Sequence, residues 1–288
     1  MKQILIIIAC LMIVNMSEGQ ERNKYFSLRE SAIHEFSVYG MGGLSSLNYT
    51  LSSGGSQSNG FGGSGGIGYT FNISDSWGVT TGAEIGIFGS KIAYGSLNDS
   101  YEGYADDYFS LTYSMNNYEE QHKVTLFSVP LMAQFKRPLG GGFTHFYFAG
   151  GFKIGLPVTA KATIAPRTIS ASGYFHYEEV EYVDLDEYGL ANNLQLPKTT
   201  ADVDLSFSAA AIVETGVRFS LRDNIALYAG AFLDYGLNSI SSINDQPLVS
   251  YYQTYTSSTF GHNSILSTHH ADASIFSAGL KIRLSFGK

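Results

Sequence analysis

Histidines and acids in the polar stretches are the first candidates for chemistry. His122, His262, His269 and His270, with Asp106 and Asp107, are residue types that supply a general base and its orienting acid. No motif sets any of them beside a nucleophile, so no catalytic residue is assigned and the chain is not read as an enzyme. Glu178, Glu179, Glu181, Asp184, Asp186 and Glu187 offer hard oxygen ligands of the kind Ca²⁺ takes. They lack the glycine-containing spacing of a calcium loop, and a solvated acidic loop is the preferred reading. Gly63-Ser64-Gly65-Gly66-Ile67-Gly68 satisfies the dinucleotide fingerprint, and Gly62-Gly63-Ser64-Gly65-Gly66 the nucleophile-elbow pattern. Both need a strand before and a helix after, whereas here a Gly/Ser loop precedes and an alternating stretch follows. Neither is read as a site, and no cofactor is expected.

A second set of charges is more informative because it lies within regular alternation. Residues 65, 67, 69, 71 and 73 are Gly, Ile, Tyr, Phe and Ile, with Gly, Thr and Asn between them. Val203, Leu205, Phe207, Ala209, Ala211, Val213, Thr215, Val217 and Phe219 repeat the pattern against a polar face. A two-residue period means strands with one apolar face. Eight such segments occur, at about 33–44, 64–73, 77–89, 122–135, 145–162, 201–220, 225–238 and 271–286. The connections at about 45–63, 90–121, 163–200 and 239–270 are long, polar and Tyr-rich, and they alternate with short ones. Short turns at one end and long loops at the other predict an all-β, eight-stranded antiparallel up-and-down transmembrane barrel. The small polar face suits a narrow lumen, and the apolar face suits lipid.

Composition agrees. Charged residues are 15% of the 288, against roughly 25% in an average soluble protein, and aromatics are 14%. The net charge of −8 argues against nucleic acid as a partner. Met1-Lys2-Gln3, the apolar Ile4 to Val14 and the small residues of Ser17-Glu18-Gly19 form a signal peptide over 1–19, cleaved near Gly19. Ile7-Ile8-Ala9-Cys10 resembles a lipoprotein box, but Cys10 lies in mid-hydrophobic stretch, which disfavours lipidation. Residues 20–32 form a short periplasmic lead-in, and 33–288 form the barrel.

Parity along the strands sends Glu35, Glu84, Lys153, Glu214, Arg218, Asp234, Lys281 and Arg283 into the lumen. Four acids and four bases balance, which predicts a salt-bridge network that fills the space. Strands one and eight must close the barrel, so Glu35 is expected to bond Arg283 or Lys281. Phe71, Trp77, Phe135, Phe146, Phe219 and Phe286 are expected as a periplasmic aromatic girdle.

The last strand carries Gly279, Ile282, Leu284 and Phe286 in a pattern that resembles the C-terminal insertion signal of outer-membrane proteins, ending two residues early. Phe127-Ser128-Val129-Pro130-Leu131-Met132 and Asp234-Tyr235-Gly236-Leu237-Asn238 resemble segments of the PorT-like barrel family, similar in architecture to the OmpA and OmpX barrels. The resemblance implies a bacterial outer-membrane location, lipid and lipopolysaccharide contact, and insertion by barrel-assembly machinery. The function read from this is structural or surface-interaction. Tyr94, Tyr101, Tyr104, Tyr108, Tyr113 and Tyr118, then Tyr251, Tyr252 and Tyr255, either bind an extracellular partner or simply continue the strands. A small-solute pore is the alternative, and a lipid A-modifying enzyme or protease a distant third.

Overall fold

The computed structural model describes residues 32–287 apart from 52–53, 106, 141–142, 166, 185–189, 191, 223, 243–246, 254–257 and 269. The expected signal peptide (with Cys10), nearly all of the lead-in, Asp106, Asp186, Glu187, His269 and Tyr255 lie outside these residues. The chain runs β1 (His34–Leu51), β2 (Gly55–Asn59), β3 (Phe61–Asn72), β4 (Trp77–Ala105), β5 (Asp107–Pro138), β6 (Thr144–Ile164) and β7 (Arg167–Phe175). It continues β8 (Val180–Tyr182), β9 (Leu194–Leu196), β10 (Thr199–Asp202), β11 (Ser208–Arg222), β12 (Ile225–Gly236), β13 (Val249–Gln253), β14 (Ser258–His262) and β15 (Ala271–Gly287).

Eight of these close a ring, each antiparallel to its neighbours. β1, β3, β4, β5, β6, β11, β12 and β15 follow in order, and β15 returns to β1. Closure leaves no edge in the wall, as lipid demands of a spanning sheet. Along β1 burial alternates residue by residue: Glu35, Ser37 and Tyr39 are buried, while Phe36 and Val38 are exposed. The same holds for Phe127, Val129 and Leu131 on β5 and for Ile282, Leu284 and Phe286 on β15, all exposed. A continuous belt of exposed large apolar side chains requires non-aqueous surroundings. The fold is an eight-stranded up-and-down transmembrane β-barrel.

Pro130 lies within β5 and cannot donate to the ladder, and β4–β5 pairing lapses between Thr81 and Glu84. The Thr81 hydroxyl donates to the Pro130 carbonyl at 2.9 Å and so bridges the lapse. Inside, Gly66 and Gly230 make room for aromatic rings. A Cβ on Gly66 would lie 2.8 Å from the Tyr39 hydroxyl, and one on Gly230 would lie 2.6 Å from that of Tyr147.

All four connections differ from the expected loops. The first, 45–63, is largely strand, because β1 runs on to Leu51, β2 pairs with β4 and β3 begins at Phe61. The stretch 90–121 is mostly strand, because β4 and β5 continue pairing from Lys91↔Gln121 to Ala105↔Asp107. Alternation persists there, and Ile92, Tyr94, Leu111, Tyr113 and Tyr118 turn inward to be buried. Pairing is interrupted at Gly95 and Asn117, where Asn117 has φ of 55°, and resumes above in the same register. Within 163–200, β7 pairs with the upper part of β5 and carries β8 and β9, while β10 pairs with the top of β6. The expected strand 201–220 therefore begins only at Ser208. The fourth connection holds the β13–β14 hairpin and a 3-10 turn at Ile265–Ser267.

The belt gives a direct test. Ala211 faces outward on β11 between Phe152 and Tyr235, both exposed. Ala211→Arg is expected to lower the unfolding free energy in lipid vesicles by about 2–4 kcal/mol. Val183→Arg, at an exposed position beyond the barrel wall, is expected to change it little.

Candidate functional site

The lumen at the short-turn end is a connected set of buried charges. The Glu35 carboxylate accepts from Lys136 Nζ at 3.2 Å, Asn72 Nδ2 at 2.9 Å, the Tyr228 hydroxyl at 2.9 Å and the Ser285 hydroxyl at 2.8 Å. Lys136 also donates to Asn72 Oδ1 at 2.8 Å. One level up, Lys153 Nζ donates to Glu84 at 2.9 Å and to Asp234 at 2.7 Å, and the Tyr39 hydroxyl donates to the second Glu84 oxygen at 3.2 Å. Lys281 pairs with Glu214, its ammonium 4.0 Å from the centre of the Tyr39 ring. Arg283 donates to Gln134 Oε1 at 2.5 Å and stacks 3.9 Å over the Tyr228 ring. Arg218, half-buried, donates to the Tyr228 hydroxyl at 3.1 Å and to Ser220 at 2.8 Å. Charges in so narrow a space hold their ionised form only when paired this closely.

Two features differ from the sequence expectation. Glu35 bonds Lys136, not Arg283 or Lys281. The β1–β15 register sets Glu35 opposite Gly287, so Arg283 and Lys281 lie opposite Tyr39 and Met41, further up the seam. The expected balance of four and four also gains a fifth base in Lys136. That residue had been placed in a turn, but β5 runs to Pro138 and keeps Met132, Gln134 and Lys136 on the inward face. Continuing the two-residue count past 135 would have found it.

The loop end is closed differently. Leu248, Val249, Ile265 and Leu266 of the fourth connection are buried among Leu47, Phe88, Ile92, Leu126, Ala162 and Ile275 of the wall. Glu120, 0% exposed, holds this segment. Its carboxylate accepts from the Ser264 hydroxyl at 2.5 Å, the Ile265 backbone N–H at 3.1 Å, the Tyr118 hydroxyl at 2.5 Å and His122 Nε2 at 2.9 Å. Burial pushes this carboxyl up, but His122 and the bonds from Ser264 and Tyr118 carry it below its ordinary value. Glu120 sat in an assigned loop, although the two-residue count run back from Val124 and His122 places it on the inward face.

Among the described residues the candidate catalytic groups do not converge. His122 is buried in this latch, with its other ring nitrogen 2.8 Å from the Tyr49 hydroxyl. His270 meets Asp99 at 3.0 Å, and burial beside Arg167 pushes His262 down to about 3. Among the described residues two Ser/His/Glu groups occur, Ser264–His122–Glu120 and the exposed Ser110–His176–Glu102. In both, the serine and the acid meet the same ring nitrogen, Nε2, whereas acyl transfer places them on opposite nitrogens. Among the described residues, no three His, Cys, Asp or Glu side chains converge to hold a metal ion.

Of the girdle residues, Phe71, Trp77, Phe219 and Phe286 are exposed on the outer face, while Phe135 and Phe146 are half-buried there. Trp77 and Phe135 pack with ring centres 5.1 Å apart. All six stand near the short-turn end. Gly279 pairs with Gly43, where a Cβ would strike the Gly42 carbonyl at 2.1 Å. The tyrosines divide: Tyr94, Tyr113 and Tyr118 are buried, Tyr101 packs against the core and Tyr108 is exposed. The side chains of Tyr104, Tyr251 and Tyr252 lie outside the described residues.

No family model and no curated protein matches the sequence. Among solved structures, the chain is similar to Neisserial surface protein A at 11% identity, covering 90% of this chain and 99% of that one, with a TM-score of 0.38. It is similar to the outer membrane protein OprG from Pseudomonas aeruginosa at 10% identity, 91% and 100% coverage and a TM-score of 0.40. It is also similar to Ail, the attachment invasion locus protein of Yersinia pestis, at 9% identity, 88% and 99% coverage and a TM-score of 0.28. The barrel assignment itself stands on the closed strand ring and the exposed apolar belt.

Proposed function

We propose that this chain is an integral outer-membrane barrel of bacteria with a structural or surface-interaction role and no enzymatic activity. In this reading a signal peptide exports it, and the Gly279–Phe286 pattern presents it to barrel-assembly machinery. The six girdle aromatics lie at the periplasmic interface, and the PorT-like resemblance of 127–132 and 234–238 supports the same placement.

The observation that carries the reading is a lumen occupied at both levels: ion pairs at the short-turn end and an apolar core under the fourth connection. Among the described residues such an interior is filled with side chains, which favours a role for the outer surface over passage of solute. There the tall hairpin and its β7–β8 neighbours present Tyr108, Tyr174, Tyr177 and Val180, with Tyr177 88% exposed. Tyrosine offers large contact area at low entropic cost, which suits an extracellular partner.

Planar-bilayer recording tests this. The purified barrel is expected to give no stable conductance level, before or after removal of the extracellular hairpins by protease. A steady ohmic level in the intact protein would favour the small-solute pore instead.

A further inference from the structure

Just above the apolar belt, the outer surface carries lysines in an unusual pairing. Lys123 on β5 stands directly opposite Lys161 on β6, and both are exposed. Directly opposed residues of an antiparallel pair have Cβ atoms roughly 4.5–5.5 Å apart, and like charges there repel. The chain as a whole carries a net charge of −8, yet the described ion pairs join neither lysine to a carboxylate. Asp202 on β10 flanks Lys161 on its far side. Lys91 on β4, at a similar level, is held by Glu119 at 2.6 Å. An anion seated between them would relieve the repulsion between Lys123 and Lys161.

Their height names the anion. The last large apolar side chains of the belt below them are Phe127 on β5 and Val158 on β6, both exposed, followed by the outward-facing Thr125 and Thr159. Four residues of tilted strand raise Lys123 about 10 Å above Phe127, past the hydrocarbon edge and into the headgroup region. Lysine stems there lie along apolar surface and keep the ammonium at the interface. Basic side chains at that level attract anionic lipid headgroups.

We infer that Lys123 and Lys161 clamp a phosphate group of a phosphorylated glycolipid in the outer leaflet, with the threonines beneath as further hydroxyl donors. This rests on the membrane placement proposed above, and it gives the barrel one oriented lipid on the β5–β6 face.

Native mass spectrometry of the full barrel in uncharged detergent, titrated with bisphosphorylated lipid A, tests the clamp. The double variant Lys123→Gln, Lys161→Gln is expected to bind about tenfold more weakly than wild type. Lys198→Gln, an exposed lysine of the third connection, is expected to bind as wild type. Both variants alter exposed side chains only, and heat-modifiable gel migration verifies their folding. With dephosphorylated lipid A the double variant and wild type are expected to bind alike. Equal affinity of the two for the phosphorylated lipid would overturn the clamp. Inorganic phosphate competing as well as the lipid at equal concentration would overturn it in favour of a free-anion site. Failure of the wild type to insert into phosphatidylcholine vesicles would overturn the membrane placement and the clamp with it, whereas insertion with equal lipid A affinity rejects the clamp alone.

Discussion

Glu35→Ala is expected to destabilise the barrel by about 3–5 kcal/mol, because it leaves a buried cation without its counter-charge. Four donors converge on that one carboxylate, from Lys136, Asn72, Tyr228 and Ser285. Lys136 is 1% exposed and would keep only its bond to Asn72 once the carboxylate is gone. Glu35→Gln keeps the volume and one acceptor oxygen but removes the charge, so its cost is expected to be smaller and still measurable. Urea unfolding in lipid vesicles, followed by gel mobility and tryptophan emission, reads both. An alanine variant with an unchanged midpoint would show that the network adds nothing to stability.

Lys153→Ala is expected to cost a similar amount, about 3–5 kcal/mol, for the mirror-image reason: two carboxylates are left facing each other. Lys153 links Glu84 on β4 to Asp234 on β12, on opposite sides of the ring. Buried ion pairs are expensive to break yet contribute little against an apolar replacement of the same volume. The triple change Lys153→Met, Glu84→Leu, Asp234→Leu is therefore expected to recover a large part of the loss, with the Tyr39 hydroxyl left short of its acceptor. A triple variant as unstable as the single one would mean that Lys153 acts by packing and not by charge.

What the sequence made legible was whatever depends on neighbours within one strand. The two-residue period sent Glu84, Lys153, Glu214, Asp234, Lys281 and Arg283 to positions that are buried. Strand order was legible, but register across the seam was not, because the slant of the ring shifts partners by several residues. Glu35 was matched to the correct strand, β15, at the wrong height, and Lys136 from β5 reached it first. Loop and strand were confused above the membrane because polarity was taken as a sign of irregular chain. The β4–β5 hairpin shows polar outward residues and buried Tyr94, Tyr113 and Tyr118 on the same extended strands. The Glu120 latch depends on Ser264, 144 residues away, and such a contact leaves no trace in local periodicity.

The seam between β1 and β15 sets the order of events during assembly. The bond from Ser285 to Glu35 joins positions 250 residues apart, so the first strand made waits for the last. Folds dominated by contacts this remote form slowly. Throughout that wait β1 presents a row of unsatisfied N–H and C=O groups on one side, an invitation to pair with another chain. In lipid each such group is costly, so the waiting edge has to be sheltered until β15 arrives. A chain released from its escort before Ala271 has been delivered would have an open flank and nothing to cover it, and aggregation is the outcome open to it.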